Sequence, residues 1–198
     1  MTAQETEILI FDDEQFDMTS NPSLNGKAEA GFSGRTSNYR GYVGVWEVKD
    51  NKLYLNEVRG GFMMEKGPFL ADWVSQELHV WKGLLLHYVH AGYGSMYEED
   101  MFFDIEYGIL KGTRTESNVE KFKELVVQEV REASNKTRMQ YLYSLYLDPH
   151  GELSRLIARS IERKQEYANL QQDLEFDFKQ RLMALAEDPA SGISLVYK

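Results

Sequence analysis

Cysteine is absent from this chain, so disulfides, thiolate metal sites and a cysteine nucleophile are excluded by inventory. Long apolar runs are missing too. Nothing approaches the ~18 consecutive apolar residues that a membrane-spanning helix requires. Residues 1 to 7 are polar and acidic, without the basic and then apolar segments of a secretory leader. These absences predict a soluble, cytoplasmic protein with no membrane partner. Basic residues are in deficit: 22 Lys and Arg stand against 32 Asp and Glu, for a net charge of -10. Affinity for phosphate backbones comes from Lys and Arg displacing counterions, so no nucleic-acid partner is expected.

What the chain has is a core and an uneven charge. Of its 198 residues, 42% are hydrophobic, enough for a buried interior without staples. Residues 1 to 114 hold 10 Lys and Arg and 18 Asp and Glu, while residues 115 to 198 hold 12 and 14. An acidic front half would speed encounter with a basic partner.

The same boundary separates two hydrophobic periods. Before it, apolar residues are aromatic or β-branched and often alternate with polar ones, which predicts strands. Strands are expected at 7 to 11, 42 to 48, 52 to 58, 77 to 81, 84 to 90 and 100 to 108. The second and third form a hairpin around Lys49 to Asn51. Residues 17 to 38 read as a long polar, Gly/Ser-rich connection.

After Thr115 the period becomes helical. Ser117 and Glu120 have capping-box spacing, and Val119, Phe122, Leu125, Val126 and Val130 fall on one stripe. A second helix is expected over 136 to 147, with Met139, Leu142, Tyr143 and Tyr146 on its apolar side. A third starts after Asp148 and Pro149, breaks near 168 to 172 and ends at about 186, before an edge strand at 193 to 197. The expected fold is α+β: a β-rich domain over 1 to 114 with about six antiparallel strands, then a helical region over 115 to 198 with three to four helices.

The densest stretch for chemistry is residues 84 to 100, "LLLHYVHAGYGSMYEED". His87 and His90 are three apart, which aligns two imidazoles on a helix but sends them to opposite faces of a strand. A strand is expected here, so the chelate loses its geometry, and neither metal nor cofactor is expected. "GYGS" lacks a lysine to act with it on a phosphate, with no lysine or arginine between Lys82 and Lys111. Ser95 lies outside a nucleophile elbow. No catalytic residues are assigned. Tyr93 and Tyr97, with the acids Glu98, Glu99 and Asp100, are the expected partner-binding residues, because Tyr beside acids makes an interface anchor.

"NYRGYVGVWEVKDNKLYL" (38 to 55) and "FLADWVSQELHVWKGLLLHYVHAGYGSMYEED" (69 to 100) resemble a family of bacterial proteins of uncharacterised role. Its members share an aromatic-Arg-Gly-Tyr segment, a Trp-Glu hairpin, an Ala-Asp-Trp segment and a Tyr-Val-His-x-Gly-Tyr-Gly-Ser-x-Tyr-Glu close. The resemblance covers about 38 to 112. Ala91 departs from a commoner methionine and Gln76 from a commoner glycine, and residues 115 to 198 lie outside it. It implies an accessory role in toxin-rich gene neighbourhoods. The resulting expectation is a non-enzymatic, immunity-type inhibitor that occludes a basic bacterial toxin or effector domain. Two alternatives stand beside it: a small hydrolase or nucleotide-modifying enzyme using His87, His90, Ser95 and Asp100, and a structural oligomerising module.

Overall fold

The structure, a computed structural model, describes residues 2–27, 35–60, 67–133, 136–146 and 179–188. Strand β1 (Glu7–Phe11) carries Glu7, Leu9 and Phe11 on one face, and β2 (Glu14–Met18) returns antiparallel to it. The turn between them is Asp12 and Asp13, both with positive φ, the geometry of a two-residue turn whose twist matches the flanking strands. Strands β3 (Tyr42–Lys49) and β4 (Lys52–Gly60) form a second hairpin around Asp50 and Asn51, also both at positive φ. Short β5 (Phe69–Leu70) pairs with β4. Strand β6 (Gln76–His87) runs without interruption through Gly83, and β7 (Met96–Glu106) turns at Tyr107 and Gly108 into β8 (Ile109–Ser117).

The strands pair in the order β3-β1-β2-β6-β7-β8-β4-β5, and β4 pairs back to β3. Seven of them therefore close on themselves as a barrel, with β5 beside β4. Closure between β8 and β4 rests on one residue pair, Lys52 with Ile109. Inward positions fill the interior: Leu9, Phe16, Met18, Trp46, Val48, Leu53, Leu55, Leu78, Val80, Phe103 and Ile105 form one buried cluster. Alternation on β4 breaks at a bulge. Trp46 faces Leu55 but Val45 faces Glu57, so Val58 joins Leu53 and Leu55 inside rather than Tyr54 outside.

These strands correct the expected fold. Eight replace six, because 77 to 81 and 84 to 90 merge into β6 while β2, β5 and β8 are additional. The sheet is also mixed: β2 folds back to pair with β6, which leaves β1's other edge to β3, and that pair is parallel. Among the described residues the helices number three, all short: α1 (Val119–Glu132), α2 (Lys136–Tyr146) and a stretch over 179–187. Asn118 rather than Ser117 precedes α1, and no side-chain bond caps it. Most of the expected third helix and the strand at 193 to 197 lie outside the described residues.

The chain divides into two compact units, one of residues 1–83 and 89–117, the other of 84–88 and 118–198. In the second, Phe122, Val126 and Val130 of α1 are buried, as are Met139, Leu142, Tyr143 and Tyr146 of α2. Arg138 lies 3.5 Å from Glu132 and 4.0 Å from Glu129, pairing α2 with α1.

Candidate functional site

A carboxylate sits inside the barrel wall. Glu7 shares the inward face of β1 with Leu9 and is fully buried. Arg40 Nη1 donates to one of its oxygens at 2.9 Å, and the Trp46 indole N–H donates to the other. Gly44 makes the room: a Cβ there would lie 2.6 Å from Trp46 Nε1 and 2.7 Å from Glu7 Oε2. Burial lifts the Glu7 carboxyl above its ordinary range, against the opposing pull of the Arg40 and Trp46 bonds. Arg40 also donates through Nη2 to the Glu5 carbonyl at 2.7 Å, while Asn38 Nδ2 donates to the Glu5 carboxylate at 3.0 Å. This knot has no water-facing carboxylate oxygen on Glu7, so its chemistry is bracing rather than proton transfer.

The bracing extends to the barrel's outside. The Tyr93 hydroxyl lies 3.2 Å from the same Glu5 carbonyl and 3.1 Å from Asn21 Oδ1, and its one proton serves one of them at a time. Its ring meets Trp81 edge-on at 6.4 Å. Tyr97 stacks on Trp81, with centroids 4.7 Å apart and planes 18° from parallel. Trp81 sits opposite Asp17 of β2. Burial and the nearby Asp17 charge both raise the Tyr97 hydroxyl pKa, burial more. The three half-buried aromatics thus form a row from β6 to β7, with Tyr93 in the connection between those strands.

Acids border that row. Glu98 lies against Gly83, whose positive φ and missing side chain admit it. Glu99 pairs with Lys82 at 3.1 Å, and Asp100 bonds His79 Nε2 at 2.8 Å. All five residues expected to bind a partner are half-buried, and each makes contacts within the chain. The structure brings Tyr93 and Tyr97 together through Trp81, a residue the sequence offered only as one aromatic among many.

His79 was not singled out by the sequence, yet it ties β6 to β7 and to Thr19, the residue that follows β2. Its Nδ1 lies 2.6 Å from the Thr19 hydroxyl, its Nε2 faces Asp100, and its ring stacks on Phe102 at 4.8 Å. Arg114 covers the same Phe102 ring at 3.8 Å and pairs with Glu77. In the neutral ring with Nε2 protonated, Thr19 donates to Nδ1 and His79 donates to Asp100. A hydroxyl, imidazole and carboxylate in line form the skeleton of an activated nucleophile.

The other sequence candidates separate. His87 ends β6, and its ring lies 5.2 Å from that of Tyr146. His90 is exposed in a bend after the strand. Neither is helical, so the shared-face chelate does not form. Burial lowers the pKa of His87, against a smaller opposite effect from Glu129, and raises that of Tyr146. Ser95 Oγ accepts the Val89 N–H at 3.1 Å and closes the glycine turn. Among the described residues, no group of three or more His, Asp or Glu is placed to hold a metal ion. No helix among them is long and apolar enough to cross a membrane. Against known proteins, no family profile, no curated protein and no solved structure matches this chain.

Proposed function

We propose that this chain is a non-enzymatic binding protein of the cytoplasm, an immunity-type inhibitor whose β2–β6–β7 face occludes a basic toxin or effector domain. The observation that supports this reading is the Trp81–Tyr97 stack with Tyr93 at its edge. Its rings are ordered before any partner arrives, so little rotamer freedom is lost on binding. Trp and Tyr in such packing carry most of the energy of many interfaces. Asp17 lies opposite Trp81 and near Tyr97, and the acids Glu98, Glu99 and Asp100 follow Tyr97 along β7, Glu99 paired with Lys82 and Asp100 with His79. A positively charged partner is thereby steered to the aromatic row and like-charged surfaces are turned away.

The test is co-expression with the basic products of neighbouring genes. The reading predicts protection of growth and co-purification with one of them, both lost in Trp81→Ala. Absence of binding and of protection across those products would overturn it. A hydrolase remains the second reading, favoured by the Thr19–His79–Asp100 line rather than by His87, His90 and Ser95. It predicts ester hydrolysis that disappears in both Thr19→Ala and His79→Ala. Equal rates in wild type and variants would remove it.

A further inference from the structure

Ile8, Asp17 and Trp81 lie side by side on three adjacent strands. Strands β1 and β2 pair Ile8 with Asp17, and β2 and β6 pair Asp17 with Trp81. Both pairings are antiparallel, so the three side chains share one face of the sheet, with successive Cβ atoms roughly 5 Å apart. Their chain neighbours Leu9, Phe16, Met18 and Val80 belong to the buried cluster, which makes that face the outward one. Tyr97 extends the row through its stack on Trp81. The Asp17 charge is felt at the Tyr97 hydroxyl, so the carboxylate and both rings belong to one local site.

Asp17 is the one charged member of this row. It is exposed, and its Oδ1 accepts a hydrogen bond from the Thr6 hydroxyl at 2.9 Å. The acids further along are neutralised within the chain, Glu99 by Lys82 and Asp100 by His79. Among the described residues, no Lys, Arg or His side chain pairs with Asp17. A carboxylate thus stands without a counter-charge between an aliphatic side chain and an indole.

We infer that this row is the subsite for one arginine side chain of the basic partner, an inference that rests on the binding role proposed above. The stem of the arginine covers Ile8, while its guanidinium donates to Asp17 and lies against Trp81. Three features select arginine over lysine. The planar guanidinium can stack on an indole while its in-plane N–H groups still reach a carboxylate. It carries five donors, so the Thr6 bond need not be broken for Asp17 to be engaged. It is also more weakly hydrated than an ammonium, which lowers the cost of drying it beside Ile8 and Trp81.

The probe is the blocked peptide acetyl-Gly-Arg-Gly-amide, with lysine and citrulline counterparts, titrated into the isotope-labelled full chain. The readout is the NMR signal of the Trp81 indole N–H, assigned by its loss in Trp81→Phe. The arginine peptide should shift that signal saturably, and the lysine peptide should bind more weakly. Citrulline, which keeps the shape but not the charge, should lose roughly tenfold or more, as should the arginine peptide with the isosteric variant Asp17→Asn. An arginine peptide that produces no saturable shift would overturn the inference, as would equal affinities for arginine and citrulline or for wild type and Asp17→Asn. Co-expression separates this outcome from the fate of the binding role. Protection that persists in full in Asp17→Asn overturns the arginine subsite alone, whereas saturable arginine binding without any protective partner supports the subsite and removes the inhibitor reading.

Discussion

Glu7 and Trp46 face each other across the parallel strands β1 and β3, bonded carboxylate to indole, with Gly44 leaving the space between them. A buried carboxylate is tolerated only where donors replace the water it gave up. Here one comes from the β3 strand and the other from Arg40, just before it. The pair thereby fixes which residues of β1 and β3 lie side by side, a register that hydrophobic side chains alone specify less tightly.

Glu7→Ala should therefore cost about 3–5 kcal/mol, the usual penalty for removing one partner of a buried pair and stranding the other. Gly44→Ala keeps both partners but overfills the gap, and should cost about 1–3 kcal/mol. Chemical denaturation followed by tryptophan fluorescence checks both. An effect within ±0.5 kcal/mol for either variant would contradict the bracing role.

Gly108 closes the β7–β8 hairpin at φ +72°, and a Cβ there would lie 2.6 Å from the Ala71 carbonyl oxygen. Both the left-handed backbone and the clash act against a side chain. Gly108→Ala should destabilise by roughly 1–3 kcal/mol, within the range for strained positions and overpacking. Thermal melts with an adjacent surface control, Lys111→Ala, would show whether the loss is specific to the turn.

His87 gives the second unit an acid sensitivity. Among the described residues, its Nδ1 and the Tyr146 hydroxyl are both buried without a hydrogen-bond partner, and burial lowers the histidine pKa below 6.5. A depressed folded-state pKa means that the unfolded chain takes up the proton first. The stabilising contribution is thus complete above the unfolded pKa and is lost as pH falls through the folded one. The midpoint of thermal unfolding should drop from pH 7 to pH 5 in the wild type, and part of that drop should vanish in His87→Phe. Parallel pH curves for the two proteins would contradict it.

Several elements were legible in the sequence for physical reasons. β1 and the β3–β4 hairpin stand out because their inward residues are large and apolar, and α1 and α2 because their buried residues recur at helical spacing. β2 did not, since "EQFDM" carries only Phe16 and Met18 against three polar residues, and Asp12–Asp13 looks like an acid pair rather than a turn. The merged β6 was hidden by Gly83, which reads as a breaker but sits within the strand at φ +80°.

The candidate site was half legible. Tyr93, Tyr97 and the acids were visible as composition, but the row they form depends on Trp81 in another strand, and cross-strand stacking has no local signal. The buried knot did leave one sign. Glu7 occupies an inward position of an otherwise apolar strand, and an acid there requires donors from elsewhere in the fold.

The aromatic row bears the central claim, and its test is a calorimetric titration of the purified partner with wild-type chain and with the Trp81→Ala/Tyr97→Ala double variant, at low and high salt. The account predicts wild-type binding that weakens as salt rises, a loss of at least tenfold in the double variant, and unchanged circular dichroism for that variant. Equal affinity for the two proteins, with the fold intact in both, would contradict it.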